Sequence, residues 1–143
     1  MFSKLINTCQ LLVISFVLSI STHVYADIVV ITHHDSKFNS ISKVELRKLF
    51  LGKSKALPDG SKAKLFEPVE GESRSIFLKD VLRKNESRLS SYWSRMMFSG
   101  KGTPPKPVNT EAEIITLVAA TKHAISYVES SLVSSSVKVV KIK

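Results

Sequence analysis

Short apolar runs and helical stripes alternate along the chain, and their order predicts its architecture. Asp27 to Thr32 is a continuous β-branched run, as expected of a strand buried on both faces. His33 to Asn39 reads as a polar loop. Ser42-Lys43-Val44-Glu45 forms a capping box, with Ile41 and Leu46 as the matching hydrophobic staple. Leu46, Leu49 and Phe50 follow at helical spacing, and Gly52 stands where a left-handed residue ends the helix. Lys53 to Ser61 is a turn-rich connector around Pro58-Asp59-Gly60. Ala63 to Val69 reads as a second strand, and Pro68, which has no N–H to donate, belongs at its end or at a sheet edge.

Glu70 to Ser75 leads into a second helix with Ile76, Phe77, Val81 and Leu82 as its apolar side. Asn85 caps a third, whose Leu89, Tyr92, Trp93, Met96 and Met97 fall on one stripe that belongs to the core. Asn85-Glu86-Ser87 matches a glycosylation pattern too short and common to carry weight. Phe98 to Pro105 packs a helix stop, two glycines, a lysine and a Thr-Pro-Pro turn into one loop, enough to hold a single backbone shape. Thr110-Glu111-Ala112-Glu113 is a second capping box, opening a fourth helix with Ile114, Ile115, Leu117 and Val118 inward. Ala124 to Val128 reads as a strand, Ser130 to Ser136 as a serine-rich loop, and Val137 to Ile142 as a last, more alternating strand. Strands interleaved with helices, without repeat or second domain boundary, predict one α/β layered domain. The buried first strand favours a mainly parallel sheet.

The first 26 residues fit a different role. Lys4, the apolar run Leu11 to Ile20, and Val24-Tyr25-Ala26 make a secretory signal with Asp27 as the new N-terminus. The run is shorter than the ~20 residues of a membrane span, so no stable span is expected after cleavage. Removing 26 of the 143 residues leaves 117, a length that suits one compact domain. The single cysteine, Cys9, falls in the leader, so neither a disulfide nor thiol chemistry is expected of the remainder. The net charge of +9 becomes +8 without Lys4. An exported protein of that charge suits phosphate, anionic lipid, peptidoglycan or an acidic protein. Nucleic acid is not expected, because the basic residues are scattered and no aromatic ladder interleaves them.

Catalytic constellations are thin. There is no Gly-x-Ser-x-Gly elbow, His-Glu-x-x-His or phosphate-cradling P-loop, and no serine has a base at a telling spacing. His33-His34-Asp35 is the nearest approach to a metal site. Adjacent residues on extended chain point to opposite faces, so a solvated loop is expected there and no metal. Anion binding is better supported. Gly71 to Ser75 opens a helix after a strand. There free N–H groups, the Ser73 and Ser75 hydroxyls and the Arg74 fork can surround an oxyanion. Glu70 and Glu72 at the same mouth oppose a tight site.

These pieces stand in a recognisable order. Leu46-Arg47-Lys48-Leu49-Phe50-Leu51-Gly52-Lys53 resembles the Ile-Phe-Leu-Gly-Lys segment of periplasmic phosphate-binding proteins of ABC transporters. Asp59-Gly60, the Gly71 to Ser75 turn, the Phe98 to Pro105 loop and Val118 to Val128 match further landmarks of that group in sequence order, over nearly all of the mature chain. The resemblance implies a three-layer α/β domain like one lobe of a type 2 periplasmic binding protein. It also implies a non-catalytic, periplasmic function without cofactor: capture of phosphate or a similar small anion, as the solute-binding component of a transporter does. The implied ligand residues are Gly71, Ser73, Arg74 and Ser75, with Lys101 and Thr103 on the Gly/Pro loop. The departures are specific. The length allows one lobe of the usual two. Glu72-Ser73-Arg74 replaces the family's Ser-Gly-Thr turn, and an upstream arginine has no counterpart near Pro68 and Val69. His123 and Ser126 replace two glycines. These departures favour the alternative of a ligand-free lobe serving as an interaction module in an envelope assembly, its partner another protein or a second copy.

Overall fold

The computed structural model describes residues 26–143. The expected leader, apart from Ala26, lies outside the described residues. Six strands form one sheet: β1 (Ile28–His33), β2 (Ser40–Ile41), β3 (Lys64–Pro68), β4 (Lys106–Val108), β5 (Ala124–Glu129) and β6 (Val137–Ile142). Their spatial order is β2-β6-β1-β5-β3-β4. Three of the five pairings are parallel: β2 with β6, β3 with β5, and β3 with β4. The two longest ladders are antiparallel, because β1 lies between β5 and β6 and opposes both.

The helices are α1 (Lys43–Phe50), α2 (Glu72–Phe77), which runs on as a π-helical turn over Leu78–Leu82, α3 (Glu86–Phe98) and α4 (Glu111–Ala120). The β-branched run of β1 explains the layering. Val30 faces a cluster with Leu46, Leu49 and Phe50 of α1, Phe77 of α2 and Trp93 of α3. Its neighbour Ile31 faces the opposite cluster, with Ile114 and Val118 of α4 and Val128 of β5. Successive strand residues point to opposite faces, so a strand covered by helices on both sides needs apolar residues throughout. The domain is thus a three-layer α/β fold. In the larger cluster Tyr127 stacks on Phe77, with ring centroids 3.8 Å apart and planes 6° from parallel, and Phe50 closes the group at 4.8 Å from Phe77.

Local signals place the elements well. The Ser42 box is complete: Glu45 N donates to Ser42 Oγ at 3.1 Å, and Ser42 N donates to Glu45 Oε2 at 2.9 Å. Asn85 Oδ1 accepts from Arg88 N at 2.8 Å and starts α3. Gly52 takes φ +68° after α1, and a Cβ there would lie 3.1 Å from Trp93 Cη2.

The two-residue β2, paired parallel with β6, is absent from the pattern reading, and further details differ. The three-residue β4 escapes it, because Pro107 reads as a breaker; it is tolerated on this edge strand. Thr110 accepts from Glu113 N at 3.2 Å, but the reciprocal half of that box is not formed. Met97 lies at the edge of the α3 stripe, about 80° round the helix from Leu89, and is 52% exposed. Pro68 is at the end of β3, as expected, yet it pairs with β4.

Gly52→Ala is expected to cost about 2 kcal/mol, from the left-handed backbone and the push against Trp93. Urea unfolding followed by the fluorescence of that tryptophan measures it.

Candidate functional site

The first turn of α2 follows β3 directly. Val69 N donates to Val108 O at 3.1 Å and ties the strand end to β4. Gly71 then takes φ +110° and ψ 173°, a region open essentially to glycine, and redirects the chain into α2. The mouth so formed holds Gly71, Ser73, Arg74 and Ser75 together.

Arg74 is buried and heavily engaged. Its Nε and Nη2 donate to the two carboxylate oxygens of Glu86 at 2.6 and 3.0 Å, a bidentate fork. Its Nη1 donates to Pro68 O at 3.0 Å and lies 3.2 Å from Glu67 Oε2. Glu67 is buried too, whereas Glu86 reaches the surface. Ser73, also buried, donates its hydroxyl to Glu111 Oε1, and Glu111 Oε2 accepts from Glu129 N at 3.0 Å. Exposed Ser75 donates to Gly71 O at 3.2 Å. The mouth therefore already contains three carboxylates, and they take the Arg74 and Ser73 donors, two of the groups that the sequence offers to an anion.

The electrostatics follow from burial. Burial lowers the Arg74 affinity for its proton, but the Glu86 hydrogen bonds and the Glu67 charge outweigh this and hold the guanidinium above its ordinary range. Burial pushes the Glu67 carboxyl up; Arg74 pulls it back only in part, and Glu86 pushes the same way as burial. Burial, then the Glu67 charge, raises the Tyr127 hydroxyl well above the usual phenol value. That hydroxyl has no hydrogen-bond partner among the described residues.

Lys101 and Thr103 are elsewhere. They line a groove of about 880 Å³ that takes in the start of β3, the connector after α1 and the Gly/Pro loop, and none of Gly71 to Ser75 borders it. The six residues thus fall into two places, four at the α2 mouth and two at the groove. Glu67, Glu86 and Glu111 are the mouth residues that sequence reading passed over. Their charge stands in the sequence, with Glu86 and Glu111 at helix starts and Glu67 in a strand; their convergence on Arg74 and Ser73 does not.

The His33-His34-Asp35 expectation is corrected in its geometry. The two imidazoles stack, with centroids 4.3 Å apart, and His34 Nε2 lies 3.2 Å from Asp35 Oδ1. The strand ends at His33 and the chain turns, so the alternation of extended chain stops applying there. His33 Nδ1 accepts from Asp35 N at 3.2 Å, which commits the nitrogen nearest the carboxylate.

No protein-family model matches the sequence, and no curated protein matches it. Solved structures do share the fold. A candidate phosphate ABC transporter substrate-binding protein with bound phosphate from Clostridium perfringens superposes with a TM-score of 0.64 at 17% identity, over 82% of this chain and 45% of that one. PstS from Borrelia burgdorferi gives 0.61 at 16% identity, over 82% and 47%. An ABC-type phosphate transport receptor from Vibrio cholerae gives 0.57 at 12% identity, over 82% and 46%. The chain spans under half the length of these structures, and the fold is that of a substrate-binding-protein lobe.

Two variants probe the buried network. Arg74→Ala strands Glu67 in the interior and is expected to cost about 3 kcal/mol in urea unfolding. Glu67 has a folded pKa above its unfolded value of 4.5. Its favourable contribution is therefore present below that value and lost as pH rises through the folded one. Glu67→Gln should accordingly gain in melting temperature relative to the parent on going from about pH 4 to about pH 7, and scanning fluorimetry across that range reads the difference.

Proposed function

We propose that this chain is a non-catalytic binding lobe of the periplasm that engages a protein partner rather than capturing a free anion. One observation carries the reading: Arg74, the cation of the α2 mouth, is held between Glu67 and Glu86. An incoming oxyanion would have to displace Glu86 from the guanidinium and compete with Glu67, whose burial depends on it, and Glu111 stands beside Ser73 to repel it. The signal-like residues 1–26 support export. No helix among the described residues is long and apolar enough to cross a membrane.

A second reading is favoured by the phosphate bound in the Clostridium perfringens structure and by the exposure of Gly71 and Ser75. In it, a phosphate-like anion sits at the α2 mouth on Ser75 and the free backbone N–H groups. Titration calorimetry with phosphate and sulfate separates the two. The protein-partner reading expects no heat and no rise in melting temperature at millimolar anion. Heat that disappears in Ser75→Ala would establish the anion reading instead.

A further inference from the structure

The groove that holds Lys101 and Thr103 is lined by cations without a carboxylate, whereas the basic cavity beside Ser75, with Lys79, Arg83, Lys84 and Arg88, includes Glu86. Five lysines line it: Lys55, Lys62, Lys64, Lys101 and Lys106. All five are exposed, no aspartate or glutamate joins them, and none pairs with a carboxylate among the described residues. They come from three separate segments, the connector after α1, β3 with its approach, and the Gly/Pro loop running into β4. The fold gathers them. Beside the lysines most of the other lining side chains are apolar, among them Leu49, Leu65, Phe66, Met97, Pro104 and Pro105, with Ser54 and Thr103 as the polar exceptions. Next to it Phe98, 97% exposed, ends α3 in solvent. Unpaired like charges held around apolar surface oppose one another until an opposite charge arrives.

We infer that this groove docks an acidic peptide segment of a partner protein, with apolar side chains seated on the floor and carboxylates on the lysine rim. The occupant is argued from charge complementarity and shape. A concave, apolar-floored trough fits an extended segment with two alternating faces better than a flat anionic surface does. The inference rests on the protein-partner reading above and names the surface and chemistry of that partner. The groove takes the start of β3 and the α2 mouth takes its end, so the two sites share no lining residue.

The chain carries its own reporter. Trp93 is its only tryptophan, and a Cβ on Gly52 or Gly102, both of which border the groove, would lie 3.1 or 3.8 Å from its ring. The probe is a short synthetic peptide alternating Glu and Leu, titrated into the protein with Trp93 fluorescence as readout. Binding is expected to weaken as salt rises, and by about tenfold or more in the double variant K101E/K106E, while a Lys/Leu peptide does not bind. Met97→Glu, a second exposed substitution, is expected to weaken it as well, and circular dichroism checks that both variants fold. The proposal is overturned if the Glu/Leu peptide does not bind or binds the charge-reversed protein equally. It is also overturned if polyglutamate binds as tightly, or if vesicles containing phosphatidylglycerol bind through these lysines and the peptide does not. Phosphate heat at the α2 mouth sinks the parent reading. Failure of the peptide without such heat sinks the groove proposal alone.

Discussion

Burying a guanidinium compels the surrounding structure to supply negative charge, and much of the geometry around α2 follows from that one requirement. Arg74 sits between a strand residue, Glu67 of β3, and a helix residue, Glu86 of α3. The three groups come from three elements, so the ion network fixes how the short α2 helix sits against the sheet and its neighbour. The arrangement is costly as well as binding. Glu67 is displaced towards its neutral form despite the adjacent cation, and the Tyr127 hydroxyl is confined beside it. Such a network is kept together by the penalty for breaking it more than by the gain from forming it.

The same network divides the molecule electrically. Positive charge that faces the interior is neutralised where it stands, at the α2 mouth. Positive charge that faces solvent is left open, and the fold concentrates part of it at the groove. A likeness to phosphate-binding structures at 12 to 17% identity describes the scaffold. The cations left facing solvent include the five lysines of the groove and, beside Ser75, Lys79, Arg83, Lys84 and Arg88. The over-determined Gly/Pro loop gains a purpose in this light. It carries Lys101 into the groove and leads into β4, the edge strand on which Lys106 stands.

The elements were legible because their signals are local. Capping at Ser42 and Asn85, the left-handed Gly52, the unbroken β-branched run of β1 and the turn at Asp59-Gly60 each act over a few residues, and the pattern of each follows from backbone hydrogen bonding and side-chain period. β4 was illegible because its length is three residues and its pairing partner is distant in sequence. The stacked His33 and His34 were misjudged because the strand ends one residue earlier than the alternation argument needs.

By itself the sequence determined the class of fold and the order of its helices and longer strands. Those depend on periodicity and on caps, which neighbouring residues set. Only the tertiary structure decided that Glu67, Glu86 and Glu111 converge on Arg74 and Ser73, and that Lys101 and Thr103 belong to a different place from Ser75. Ion pairing and groove lining join residues from different elements, and the three-layer packing alone brings those residues within reach.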